Sequence, residues 1–237
     1  MERNRAGFRK LPGTELKNEA SGETVYTPPQ NPDDIISLMT NLEKIINEPT
    51  FWNIDPLIKM VVIHYQFESI HPFYDGNGRT GRILNILYLV KEGLLDLQVL
   101  YLSSYIIKNK SNYYKFLQNV RDNEDWESWL LYLLKGVEET ALFTSGLVAD
   151  IRNLMQDYKN RIRKELPNIY SQDLLNNLFR YPYTKIEYMA KELNKSRPTA
   201  TKRLDCLVEH GFLTKHQIWR QNYYINEPLY KLLFNAK

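Results

Sequence analysis

The sequence predicts a mainly α protein in two parts: a helical core with a small β-hairpin flap, then a connecting helix and a small winged helix-turn-helix domain. Three observations carry this prediction. Long segments in the first two thirds repeat apolar residues at helical spacing. A twelve-residue run, HPFYDGNGRTGR at His71–Arg82, places three of the chain's 10 glycines between two such segments. From about residue 170 the pattern changes to three short helical segments and a ribbon rich in aromatic and β-branched residues.

The elements follow in order. Thr24-Val25-Tyr26-Thr27 are strand formers bounded by breakers, and Pro28 and Pro29 confine them to a hairpin or extended flap at about 20–30. DDIISLMTNLEKII, after Pro32, carries apolar residues at 35, 36, 38, 39, 42, 45 and 46, a helix opening with acids. DPLIKMVVIHYQFESI starts with an Asp N-cap and a proline at the first helical position. RTGRILNILYLVKEG is a further helix, with Gly93 as its stop. Helices are expected at 111–121 and 125–143, and a separate connecting helix at about 146–165, before Pro167. SQDLLNNLFRY, KIEYMAKEL and SRPTATKRLDCLVEHGFL then read as three helices, the last capped by Ser196 and ended by Gly211. TKHQIWRQNYYIN reads as a two-stranded wing. The expected domains are a core over 1–145, a connecting helix over 146–169 and a winged helix over 170–237.

Composition narrows the function classes. With 43% hydrophobic and 25% charged residues the chain is an ordinary soluble globular type, and no stretch is apolar enough to span a membrane. The charged N-terminus lacks the apolar segment of a secretory signal, and the single cysteine, Cys206, excludes an internal disulfide. A cytoplasmic location is the expectation. The net charge of +3 is unevenly placed. Residues 171–237 hold 11 Lys+Arg against 6 Asp+Glu, whereas the first 170 hold 20 against 22. The basic excess therefore belongs to the C-terminal part.

In the glycine run, Gly76 and Gly78 can take positive φ and turn backbone amides inward just before a helix start, which suits phosphate. Arg79 and Arg82, three apart on the first turn, can both reach back over one anion. Asp75 beside them would repel phosphate unless Mg²⁺ bridged the two. His71 is the nearby group able to exchange a proton near neutrality. These residues describe a nucleotide-phosphate site with a metal and a base. No Lys-Ser/Thr follows the glycines, so the run is neither a Walker A loop nor a dinucleotide fingerprint. The competing reading is an interhelical turn with a solvated charged face, anchored by Phe73.

The run also closely resembles the Fic family signature, His-Pro-Phe-x-Asp/Glu-Gly-Asn-Gly-Arg-x-x-Arg, with every fixed position filled: His71, Pro72, Phe73, Asp75, Gly76, Asn77, Gly78, Arg79 and Arg82. VYTPP is similar to that family's flap, HYQFESIHPF to its approach helix, and NYYKFLQNVR with WESWLLYLL to its downstream helices. The resemblance covers about residues 5–140 and implies a Fic-type helical core. It further implies a protein adenylyltransferase that moves AMP from ATP to a Ser, Thr or Tyr hydroxyl and releases pyrophosphate. His71 would be the base, Asp75 the Mg²⁺ ligand, and Gly76, Asn77, Gly78, Arg79, Thr80, Gly81 and Arg82 the phosphate cradle. Tyr114 and Arg121 would line the base pocket. Thr24, Val25, Tyr26 and Thr27 would clamp the protein substrate by strand addition. Tyr113 reads as core, and so does His64.

The chain departs from the family in one respect. It shows no Ser/Thr-x-x-x-Glu-Gly/Asn inhibitory motif, whose glutamate pairs with the arginine found here at position 82. Three readings stay open: a shortened chain, restraint in trans by an inhibitory partner, or no restraint. AMP removal, which uses that glutamate in some relatives, is then not expected. Arg197, Thr199, Thr201, Lys202 and Arg203 on the third C-terminal helix, with Lys215, His216 and Arg220, could contact DNA. A protein-docking or homodimerising winged helix is the alternative for that part. For the whole chain, the alternatives are a nucleotide-sensing DNA-binding regulator and a Fic enzyme that transfers another nucleotide.

Overall fold

The computed structural model describes residues 7–17, 21–48 and 52–235. The chain divides into two compact units, the first ending at Ala141 and the second beginning at Leu142.

In the first unit, β1 (Leu16–Lys17) and β2 (Thr24–Tyr26) form an irregular antiparallel hairpin, pairing Leu16 with Tyr26 and Lys17 with Thr24. Six helices follow: α1 (Pro32–Asn47), α2 (Pro56–Ile70), α3 (Asn77–Lys91), α4 (Leu102–Lys108), α5 (Lys110–Asn123) and α6 (Trp126–Glu165). Proline stands at the start of α1 and α2, where its missing N–H costs nothing. The Asp55 carboxylate caps α2 by accepting from the amides of Leu57 and Ile58. Gly93, at φ 72°, follows the end of α3. The core of this unit gathers Ile35, Met60, Ile63, Phe67, Leu89 and Trp129, all at most 2% exposed.

The expected break between two helices near residue 144 is absent: α6 is one helix of 40 residues. No proline interrupts it, and a single exposed glycine does not outweigh the surrounding helix formers. The short helix α4 was not expected either.

The second unit contains the later part of α6, then α7 (Gln172–Arg180), β3 (Tyr183–Thr184), α8 (Ile186–Glu192), α9 (Arg197–Glu209), β4 (Thr214–Ile218), β5 (Gln221–Ile225) and α10 (Glu227–Phe234). Its sheet has three strands, not the expected two, in the antiparallel order β3-β5-β4. Three helices and this sheet pack around Leu174, Leu178, Leu204, Leu207, Phe212 and Tyr224. Ser196 stands at the N-cap of α9, but its hydroxyl meets Thr199 Oγ1 at 2.9 Å instead of a backbone amide. Among the described residues, no helix is long and apolar enough to cross a membrane.

Candidate active site

The site begins where α2 ends. His71 is the C-cap of α2 and adopts a left-handed conformation, φ 49° and ψ 57°, uncommon for a residue with a side chain. The last carbonyls of a helix lack partners within it, and here Arg9 supplies them. Its Nε donates to the His71 carbonyl at 2.9 Å, and Nη2 donates to the Pro29 carbonyl and, at 3.4 Å, to that of Ile70. The Arg9 amide donates to the Pro72 carbonyl at 2.8 Å. At 1% exposed, Arg9 is a buried strut between the N-terminal segment, the flap exit and His71. Nothing in the sequence marked it, since an arginine in a polar N-terminal stretch reads as solvated.

Burial pushes the His71 imidazole down to about 4, and the charges of Arg9 and Arg121 act in the same direction. The Glu68 carbonyl pulls the other way, but Nδ1 completes no hydrogen bond. At neutral pH the ring is therefore uncharged and able to accept a proton.

The loop that follows is held by its own side chains. Asn77, buried at 2% exposed, accepts from the Phe73 amide at 2.9 Å and donates to the Phe73 carbonyl at 2.8 Å. Both bonds tie the side chain across the loop to Phe73. Thr80 likewise donates both its amide and its hydroxyl to the Gly76 carbonyl, each at 3.0 Å, closing the first turn of α3. Gly76, at φ 83°, is the N-cap, and no side chain caps the helix. The first-turn amides of α3 are thus left for a ligand.

Gly81 lies against α2. A Cβ there would lie 2.7 Å from Glu68 Oε1, 3.1 Å from the Phe67 ring and 3.3 Å from the His64 ring. It is the close-approach point of α2 and α3. The two arginines each have a protein partner. Arg79 pairs with Asp75 at 3.3 Å, where the side chains are 74% and 92% exposed, and Arg82 donates Nε to the Ser103 hydroxyl on α4 at 2.9 Å. An exposed i,i+4 pair of this kind contributes roughly 0.3–0.5 kcal/mol. A polyphosphate can displace it.

The flap reaches the site through Tyr26. Its hydroxyl donates to the Ser69 carbonyl at 3.0 Å, and the Arg121 guanidinium stacks over its ring at 3.6 Å. Arg121 also donates to Gln118 Oε1 at 3.1 Å and to the Ser69 hydroxyl at 3.4 Å. Thr24, Val25 and Thr27 are exposed. Tyr114 is exposed and sits edge-on to Tyr113, whose ring is buried with its hydroxyl 3.0 Å from His64 Nε2. Sequence reasoning missed Arg9, Glu68, Ser69 and Ser103. Glu68 alone carried a signal, as a carboxylate at an apolar helical position one turn before His71.

In the second unit, Arg197 pairs with Glu187 at 3.8 Å and Lys215 with Asp205 at 2.8 Å. The Thr199 hydroxyl is taken by Ser196 and that of Thr201 by the Arg197 carbonyl. Lys202 and Arg203 enter no ion pair among the described residues.

A helical core with a two-stranded flap and this loop between α2 and α3 has a Fic-type fold. Residues 2–89 match the model of the Fic/DOC family, and residues 154–229 match that of "Protein adenylyltransferase SoFic-like, C-terminal domain". Among similar proteins, "Protein adenylyltransferase Fic" of Drosophila erecta is 33% identical over 96 residues, 40% of this chain and 18% of that protein. "Protein adenylyltransferase fic-1" of Caenorhabditis elegans is 32% identical over 65 residues, 27% of this chain and 13% of that protein. The chain thus spans less than a fifth of these relatives. A crystal structure of a Fic family protein from Desulfovibrio desulfuricans G20 shares the fold, with a TM-score of 0.51 and 23% identity over 92% of this chain and 62% of that one.

Proposed function

We propose that this chain is a protein adenylyltransferase, moving AMP from ATP onto a Ser, Thr or Tyr hydroxyl of a protein and releasing pyrophosphate. The observation that carries the reading is an uncharged, half-buried His71 just before the uncapped, glycine-led start of α3. The adenylyltransferase names of the relatives support it. The hydroxyl oxygen bonds to the α-phosphorus, its proton passes to His71, and the bond from that phosphorus to the bridging oxygen breaks onto pyrophosphate. A histidine held near 4 is a weak base in the empty site. The charge of an arriving phosphate chain raises it, so the substrate strengthens its own base.

The α3 amides would hold phosphate oxygens, with Arg79 and Arg82 offsetting the outer charge. Each gives up one modest contact, to Asp75 and to Ser103, to do so. Asp75 fits a divalent cation, being a hard, exposed oxygen donor held among the described residues by the Gly76 amide and one surface arginine. Mg²⁺ bound there would supply charge neutralisation for the phosphates. Among the described residues β2 pairs only with β1, so its second edge can accept an extended segment of the target beside Thr24–Thr27.

The test is transfer detected by mass, with ATP, UTP and GTP compared and His71→Ala as control. A His71-dependent gain of AMP on this protein or on cell-extract proteins is expected. Absence of any such product with every nucleotide would sink the proposal.

DNA is the partner we propose testing for the second unit, because Lys202 and Arg203 enter no ion pair among the described residues and the wing tip exposes Arg220 beside Trp219, itself 93% exposed. A duplex shift that weakens steeply with salt and is lost in Lys202→Ala/Arg203→Ala would support it. An unchanged shift in the double variant would exclude this face.

A further inference from the structure

Glu68 takes no part in the proposed reaction, yet its carboxyl lies where α2 and α3 come closest. It is 8% exposed, and Oε1 has no hydrogen-bond partner among the described residues. A Cβ placed on Gly78, in the first turn of α3, would meet Arg82 Nη1 at 3.1 Å and Glu68 Oε1 at 3.8 Å. An unsatisfied carboxyl oxygen and the Arg82 guanidinium thus face the same stretch of cradle backbone. Neither Arg82 nor Arg121 closes an ion pair with it, although both lie near enough to act on it.

The titratable and charged groups around the carboxyl are His64 on α2, His71 at its end, Arg82 on α3, and Tyr113 and Arg121 on α5. Burial holds both histidines uncharged, each down to about 4, and keeps the Tyr113 phenol neutral by pushing it well up. Burial also raises Glu68 to about 7, against the opposing pull of Arg82 and Arg121. Among these neighbours Glu68 is the group poised to change charge near neutrality.

We propose that Glu68 is the counter-charge of the empty cradle and takes up a proton when a nucleotide polyphosphate settles against Arg82. The inference rests on the nucleotide reading of the site. With the cradle empty, the carboxylate balances two guanidinium groups that would otherwise be partly buried without an anion. A phosphate chain brings its own negative charge to Arg82, and two like charges cannot share that position at low dielectric. Protonation from solvent removes the conflict and converts an unsatisfied acceptor into a donor. Glu68 is accordingly a positioning residue that sets the charge of Arg82, and it touches no reacting atom.

Calorimetric titration of the full chain with an ATP analogue blocked at the α–β bridge, with Mg²⁺, in buffers of different ionisation enthalpy, counts the protons taken up. Wild type at pH 7.5 is expected to take up between about half a proton and one more per nucleotide than Glu68→Gln. Its affinity should fall more steeply than the variant's between pH 7 and 9, by up to about tenfold per pH unit. Equal uptake and equal pH dependence in the two proteins would overturn the proposal while leaving the nucleotide reading intact. No binding by wild type would instead overturn the nucleotide reading, and this inference with it. Should Glu68→Gln fail to fold, difference infrared spectroscopy decides on wild type alone: a protonated-carboxyl band gained on adding the analogue supports the proposal, and no such band refutes it.

Discussion

The half-buried His71 and the buried Glu68 are titratable groups with opposite consequences for stability. His71 and His64 are both held near 4, below an ordinary value of 6.5. Each therefore contributes stability that is complete above about pH 6.5 and is lost as the pH falls toward 4. Glu68 is raised to about 7 from 4.5, so its contribution is complete below about pH 4.5 and is lost as the pH rises through 7. Urea unfolding of Glu68→Gln should consequently gain on wild type between pH 5 and 8, by on the order of 2 kcal/mol. A difference independent of pH would show that the carboxyl is already ionised at pH 5. For His71→Ala, AMP transfer should drop by roughly 10²–10⁴-fold, as expected for loss of a general base, with the fold unchanged by circular dichroism. Gly81→Ala would drive a methyl into Glu68 and Phe67 and should cost about 1–3 kcal/mol in the same unfolding measurement. The identities of the loop residues were readable in one dimension, but their roles were not. Asn77, Thr80 and Gly81 stand together in the motif, and their contacts within the protein, to Phe73, Gly76 and Glu68, appear only in the fold.

Among the elements, α6 shows most directly how context overrides a local signal. Gly146 lies in its exposed middle with nothing within 4 Å of a Cβ, whereas a Cβ at Gly136 would come 2.5 Å from the Tyr105 ring. The same substitution should therefore have opposite signs. Gly146→Ala should stabilise by up to ~1 kcal/mol through helix propensity, and Gly136→Ala should destabilise by about 1–3 kcal/mol through overpacking. Thermal melts of the two variants would check this, and a stabilising Gly136→Ala would contradict the close approach of α4 and α6. The starts of α1 and α2 were legible because proline and a capping side chain mark them locally. The α10 start carries a similar mark, Asn226 accepting from the Leu229 amide with proline in the first turn, which the sequence reading passed over. By contrast α4 has no capping side chain, and its existence depends on Leu102 and Ile106 finding the core.

Across the whole molecule, each unit has its own core, and the residues that build them do not overlap. Leu204, fully buried in the second core, tests their independence. Leu204→Ala should lower one calorimetric transition by about 2–5 kcal/mol of stability and leave His71-dependent transfer in place. Loss of both would mean that the units unfold as one. By itself the sequence determined the helical periodicity, the two-part organisation of charge, and the His71–Arg82 run whose spacing points to phosphate. Each of these is encoded in residues near one another along the chain. Only the tertiary structure decided that Arg9 ties down the end of α2, that Gly81 makes room for Glu68, and that Arg82 turns to Ser103. Those pairings join positions far apart in sequence or on different helices, and burial, which shifts His71 and Glu68, exists only once the helices have met.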